Sequence, residues 1–182
     1  MKSVLISIKP EWCDLIVQGE KTLEVRKTRP NLDTPFKCYI YCTRATKGWF
    51  WLDSPNIRRD GAVIGEFICD RINIRTPDCL IVKEDREKAT EGSCLTAKEI
   101  RDYLRGNRVS YNLCDLPDFY GWHISGLKIY EKPKNLNDFR KPCENDLYCE
   151  SCAMYRNNTG GCGNAAFRFT RPPQSWCYVE DN

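Results

Sequence analysis

The chain reads as an α+β protein: a small mixed β-barrel flanked by short helices and followed by a cysteine-rich C-terminal extension. Three observations predict this. Strand-like apolar runs recur from one end of the chain to the other, two short helix signals interrupt them, and five of the twelve cysteines crowd together after residue 140. The division that follows is a barrel over residues 1–140 and a tail over 141–182, with a final strand at about 175–180 returning to the barrel.

Each element has its own signal. "KSVLISI" (2–8) is a strand. Pro10 then stands at the first position of a helix, where its missing N–H costs nothing, and Trp12, Leu15 and Ile16 make an apolar stripe before Gly19 ends it. Strands at 21–28 and 36–43 follow, then "KGWFWLDSPNIRRDG", an aromatic-rich loop. "AVIGEFICDRINI" (62–74) is a strand pair or one bent strand, with Gly65 marking a bulge or corner. "KEDREKATEG" reads as a charged connector. The clearest helix starts at Thr96, with Glu99 completing a capping box, Leu95 and Ile100 the hydrophobic staple, and Ile100, Tyr103 and Leu104 the buried face before Gly106. "YGWHISGLKIYE" (120–131) and "SWCYVE" supply the last strands.

The 182 residues suffice for one ordinary core, and 41% hydrophobic with 29% charged residues is the composition of a soluble globular chain. No stretch has the length of a membrane-spanning helix, and the N-terminal apolar run is too short for a secretory signal, so the expected compartment is the cytoplasm, without a membrane partner. The net charge of +3 is mild, but the first 50 residues hold nine Lys or Arg against five acids. Such a patch attracts phosphates or is simply a solvated basic surface.

"GEKTLEVRKTRP" (19–30) carries the most chemistry. Strand alternation turns Leu23 and Val25 to one side and Thr22, Glu24, Arg26 and Thr28 to the other, with Lys21 just ahead of the strand. The polar side is either a solvated wall or the wall of a cleft. In a cleft, Arg26 offers a fork of donors to a phosphate or base edge, and Glu24 accepts from an amine or holds Arg26 in place.

This stretch, together with "SIKPEWCDLIVQ" before it, "AVIGEF" and "YGWHISGLKIYEKPKNLNDF" after it, and the "PPQSWCYVE" tail, resembles the ASCH domain of the PUA-like superfamily, in particular a prophage-type group. The resemblance spans essentially the whole chain; its most specific part is G-x-K-T-x-E-x-R, here Gly19, Lys21, Thr22, Glu24 and Arg26. It implies a PUA-like barrel with these residues lining a cleft, and as ligand RNA, single-stranded nucleic acid or a modified nucleoside or nucleobase. Trp49 and Trp51 either add stacking surfaces to Lys21, Thr22, Glu24 and Arg26 or simply cover the end of the barrel. The alternative it implies is a hydrolase, an amidohydrolase of N4-acylated cytidine or a ribonuclease, using Lys21 with Thr22 and Glu91. Glu24 stands where the short amidohydrolases carry threonine, which weakens this alternative. His123, the one histidine, reads as a hydrogen-bonded structural residue.

The tail cysteines read C-x5-C-x2-C-x9-C-x14-C. The C-x2-C step lets two thiolates share a metal, so the expectation is a structural zinc on Cys143, Cys149, Cys152 and Cys162, with Cys177 as substitute; an iron–sulfur cluster and reduced free thiols are the alternatives. Nothing in the sequence sets the oligomeric state.

Overall fold

The computed structural model describes residues 2–45, 50–51, 54–107, 112, 115–143 and 164–180; the side chains of residues 50, 51, 54–57 and 165 are outside that description. A six-stranded mixed sheet organises the chain in the order β2-β7-β6-β3-β1-β8. Its members are β1 (Lys2–Ile8), β2 (Leu23–Arg26), β3 (Phe36–Cys42), β6 (Ala62–Arg75), β7 (Phe119–Lys134) and β8 (Trp176–Glu180), while β4 (Phe50–Trp51) and β5 (Ser54–Arg58) form a separate hairpin. β1 and β3 run parallel; the other ladders are antiparallel.

Burial on both faces explains the strand sequences. In β1, Val4, Ile6 and Ile8 enter one apolar cluster and Leu5 another, so the strand reads as a continuous apolar run. The first cluster fills the inside of the curled sheet with Ile40, Phe67 and Trp122 and receives Cys13 and Ile16 from helix α1 (Pro10–Val17). The second joins Val25 and Phe119 to Ala89 of helix α2 (Lys83–Thr90) and Ile100 and Leu104 of helix α3 (Ala97–Arg105). The third covers the outer face of β1 and β3 with Phe139, Phe169 and Val179.

The two edge strands, β2 and β8, are joined by side chains. Arg26 reaches Ser175 Oγ at 3.4 Å, the Trp176 indole N–H donates to Thr28 Oγ1 at 3.0 Å, and the Tyr178 hydroxyl accepts from the Asn31 N–H at 2.8 Å. The barrel is therefore closed by a polar seam, and that seam holds the candidate site.

Several elements differ from the sequence expectation for identifiable reasons. β6 is one bent strand whose register slips between Val63 and Gly65, between Glu66 and Ile68 and between Cys69 and Ile72. The charged connector contains α2. Its residues are mostly good helix formers, but only Ala89 is buried, so no apolar stripe announces it. The aromatic loop contains the β4–β5 hairpin. α3 begins with the capping box at Thr96 and Glu99, and Leu95 packs on the cluster that holds Ile100. Tyr103 leaves the buried face and is 39% exposed.

Candidate functional site

β2 is only four residues long, yet all four are buried. Leu23 and Val25 face the helices, as alternation requires, and Glu24 and Arg26 face inward beside Trp122, the cross-strand neighbour of Glu24. The polar side of this strand is thus no solvated wall: Lys21 is 2% exposed, Glu24 7% and Arg26 8%.

Charges so deeply placed must be paired and hydrogen-bonded. The Glu24 carboxylate lies between Lys21 Nζ at 3.3 Å and Arg26 Nη2 at 2.9 Å. Lys21 Nζ also donates to the carbonyls of Leu23 (3.0 Å) and Ser93 (2.6 Å) and sits 5.5 Å from the Trp12 ring centroid. Three acceptors surround an ammonium that has three protons to give. Arg26 Nη2 donates to the Ser7 carbonyl at 2.7 Å. Two donors on this inward face stay unspent: Arg26 Nε and Trp122 Nε1 are buried and have no hydrogen-bond partner among the described residues.

The α2–α3 connection holds the cluster from outside. The Gly92 carbonyl accepts from the N–H groups of Thr22 and Leu23, both at 2.8 Å, and Ser93 is wholly buried, its hydroxyl donating to the Thr90 carbonyl at 2.6 Å. Gly92 has φ +69°, and a Cβ there would run into the Thr22 hydroxyl, so glycine is required on both counts.

Of the residues singled out from the sequence, Lys21, Glu24 and Arg26 come together. Thr22 and Glu91 are exposed beside them, Glu91 one residue from the carbonyl that anchors Thr22. Trp49 and the Trp51 side chain lie outside the described residues. Cys149, Cys152 and Cys162 lie outside them too. The Cys143 N–H donates to Glu180 Oε1 at 3.3 Å. Cys177 packs on the third cluster, where burial pushes its thiol up to about 11. Among the described residues no three His, Cys, Asp or Glu side chains gather as a metal would require, and no helix is long and apolar enough to cross a membrane.

Sequence reasoning missed Ser7, Ser175 and three rings. Trp12 looked like a core residue and backs Lys21. Tyr103 lies near Arg26 with Lys27 Nζ 4.9 Å from its ring centroid; burial pushes its hydroxyl up and the nearby Arg26 opposes that shift. Trp176 spans the seam 5.9 Å from the Trp122 ring. A ring next to a signature residue through tertiary folding leaves no local sequence signal. The His123 Nδ1–H donates to Asp70 Oδ1, 2.6 Å away, outside the cluster.

The ASCH domain family model matches residues 6–42, from β1 through the signature to the end of β3. No curated protein matches the chain. Among solved structures, the ASCH protein of Zymomonas mobilis is 21% identical, covering 98% of this chain and 87% of that one with a TM-score of 0.51. A serine-to-alanine variant of it gives 20% identity, 98% and 88% coverage and a TM-score of 0.58. A tyrosine-to-phenylalanine variant gives 19%, 99% and 91%, and 0.53. The ASCH domain match covers the signature residues of the site, and the fold shared with the Zymomonas mobilis ASCH proteins extends over the whole chain: the chain has the fold of those proteins and is similar to the ASCH domain over residues 6–42.

Proposed function

We propose that the protein binds nucleic acid, as single-stranded RNA or a modified nucleobase, at the seam cluster. The observation that carries this reading is the pair of buried, unspent donors, Arg26 Nε and Trp122 Nε1, on the face that also holds the Glu24 carboxylate. Buried donors are rarely left without acceptors, and a base edge offers carbonyl acceptors next to an amine that Glu24 can receive. Tyr103 and Trp176 stand at the margin as surfaces on which a base can stack. The test is titration with nucleosides and short RNA and DNA oligomers. Arg26→Lys keeps the charge and removes the Nε donor, and it should weaken nucleoside binding while circular dichroism stays native. Unchanged affinity in both Arg26→Lys and Tyr103→Ala would end the reading.

The hydrolase reading is supported by one juxtaposition, the loop of Glu91 and Ser93 resting on Lys21 and Thr22. Against it, the Lys21 amine already meets Glu24 and two carbonyls, which leaves no lone pair aimed at a substrate. For the tail we propose a structural zinc on Cys143, Cys149, Cys152 and Cys162; the spacing supports it, and the burial of Cys177 makes that residue the poorer thiolate.

A further inference from the structure

A cleft of about 700 Å³ is lined by residues that follow β3, residues that follow β7 and the segment that leads into β8. Tyr41, Thr43 and Arg44 at the end of β3 form one wall, and Asn137, Phe169 and Thr170 form another. The two sites share a partition. Ser7 gives its carbonyl to Arg26, while its side chain lies on the sheet face of Tyr41, its register partner, and donates to the Pro173 carbonyl at 2.6 Å. Pro172, next in the chain, lines the cleft, and Ser175 on the same short segment meets Arg26.

Arg44 supplies the charge of the cleft. It is exposed and has no ion pair among the described residues, while the nearby Asp60 carboxylate accepts from Arg58 at 2.9 Å and from the Ala45 N–H at 2.8 Å. Gly61 leaves room for the Arg44 side chain: a Cβ there would come within 2.9 Å of Arg44 Cγ and 3.0 Å of its Nε. Exposed Arg168 and Arg171 flank Phe169 and Thr170 in the chain. A guanidinium, hydroxyls, an amide and an aromatic ring around an open cleft suit a phosphate with its attached nucleoside.

We propose that this cleft is a second subsite, which takes the neighbouring phosphodiester and nucleotide of a strand whose base engages the seam cluster. Arg44 contacts the phosphate and Asn137 and Thr170 the sugar or base edge. The inference rests on the nucleic-acid reading above and extends it from one base to a strand.

Wild type and Arg44→Ala are titrated with a free nucleoside and with an RNA and a DNA hexamer over a range of salt. The expected result is hexamer binding whose salt slope falls by about 0.7 in Arg44→Ala, one released counterion on a single strand, with nucleoside binding unchanged. Arg44→Lys should recover the slope, and Asn137→Ala should weaken the hexamer without changing the slope. Equal hexamer affinity and slope in wild type and Arg44→Ala would overturn the cleft subsite and leave the cluster reading standing. Failure of wild type to bind either hexamer would also overturn it. Nucleoside binding insensitive to Arg26→Lys and Tyr103→Ala would instead remove the cluster reading.

Discussion

Arg26 and Ser7 meet across the seam of the barrel: the guanidinium of one edge strand donates to the main-chain carbonyl of β1 at 2.7 Å, while its other contacts hold Glu24 and Ser175. One side chain therefore joins the sheet's edges and presents an unspent donor to the interior. Binding and folding are coupled at this residue.

The first consequence concerns stability. Arg26→Ala removes the partner of a buried carboxylate and leaves the Ser7 carbonyl without its donor. Breaking a buried pair from one side costs about 3–5 kcal/mol. Urea denaturation should show a loss in this range, and Glu24→Gln combined with Arg26→Ala should lose less than the two single changes summed. A double variant whose loss equals the sum would show that the pair is not coupled.

A second expectation is pH-dependent. The hydrogen bond from His123 holds the Asp70 carboxyl below its ordinary value of 3.8. A depressed carboxyl pKa contributes stability above the ordinary value and loses it as pH falls through the folded one. Both side chains are partly exposed, so the contribution is small, below about 1 kcal/mol. Asp70→Asn should lower the urea midpoint near neutral pH, and the gap to wild type should narrow as pH falls below the ordinary value of 3.8. A gap that stays constant across that range would assign the effect to packing.

How much of this was legible in the sequence depends on the range of the interaction. The capping box of α3 lies within four residues, so Thr96 and Glu99 announced it. Strand alternation separated Leu23 and Val25 from Glu24 and Arg26 correctly. It could not tell that the polar side faces inward, because that depends on β1 and on Ser175, 149 residues away from Arg26 in the chain. Tyr103 illustrates the opposite error. Its helical spacing matches the buried stripe of Ile100 and Leu104, but it sits at the edge of that stripe and opens toward Lys27. α2 was hidden because its stability comes from backbone propensity and one buried alanine, with no apolar period to read.

The tail carries a third prediction. If four of its cysteines hold zinc, protein prepared without chelator should contain about one zinc per chain. Cys149→Ser with Cys152→Ser should abolish it, while the barrel stays folded, because β1 to β7 contain neither residue. Cys177→Ser should leave the metal content unchanged, since that thiol is packed against the third cluster. Protein free of zinc and iron would rule the site out.

The fourth prediction separates stacking from charge at Tyr103, beside Arg26. Tyr103 is 39% exposed, is flanked by Lys27 and Arg26, and lies on the well-capped helix α3, so its position does not depend on the ligand. A base stacked on such a ring contributes about 1–3 kcal/mol. Tyr103→Ala should weaken single-strand binding by that amount, and Tyr103→Phe should retain most of the affinity because it keeps the ring. The salt slope should be the same in wild type and both variants, since stacking releases no counterions. Thermal stability should change little, because the helix keeps Ile100 and Leu104 in the second cluster. Equal losses in the Ala and Phe variants would point to the hydroxyl and its contact with Arg26, and would place the base away from the ring.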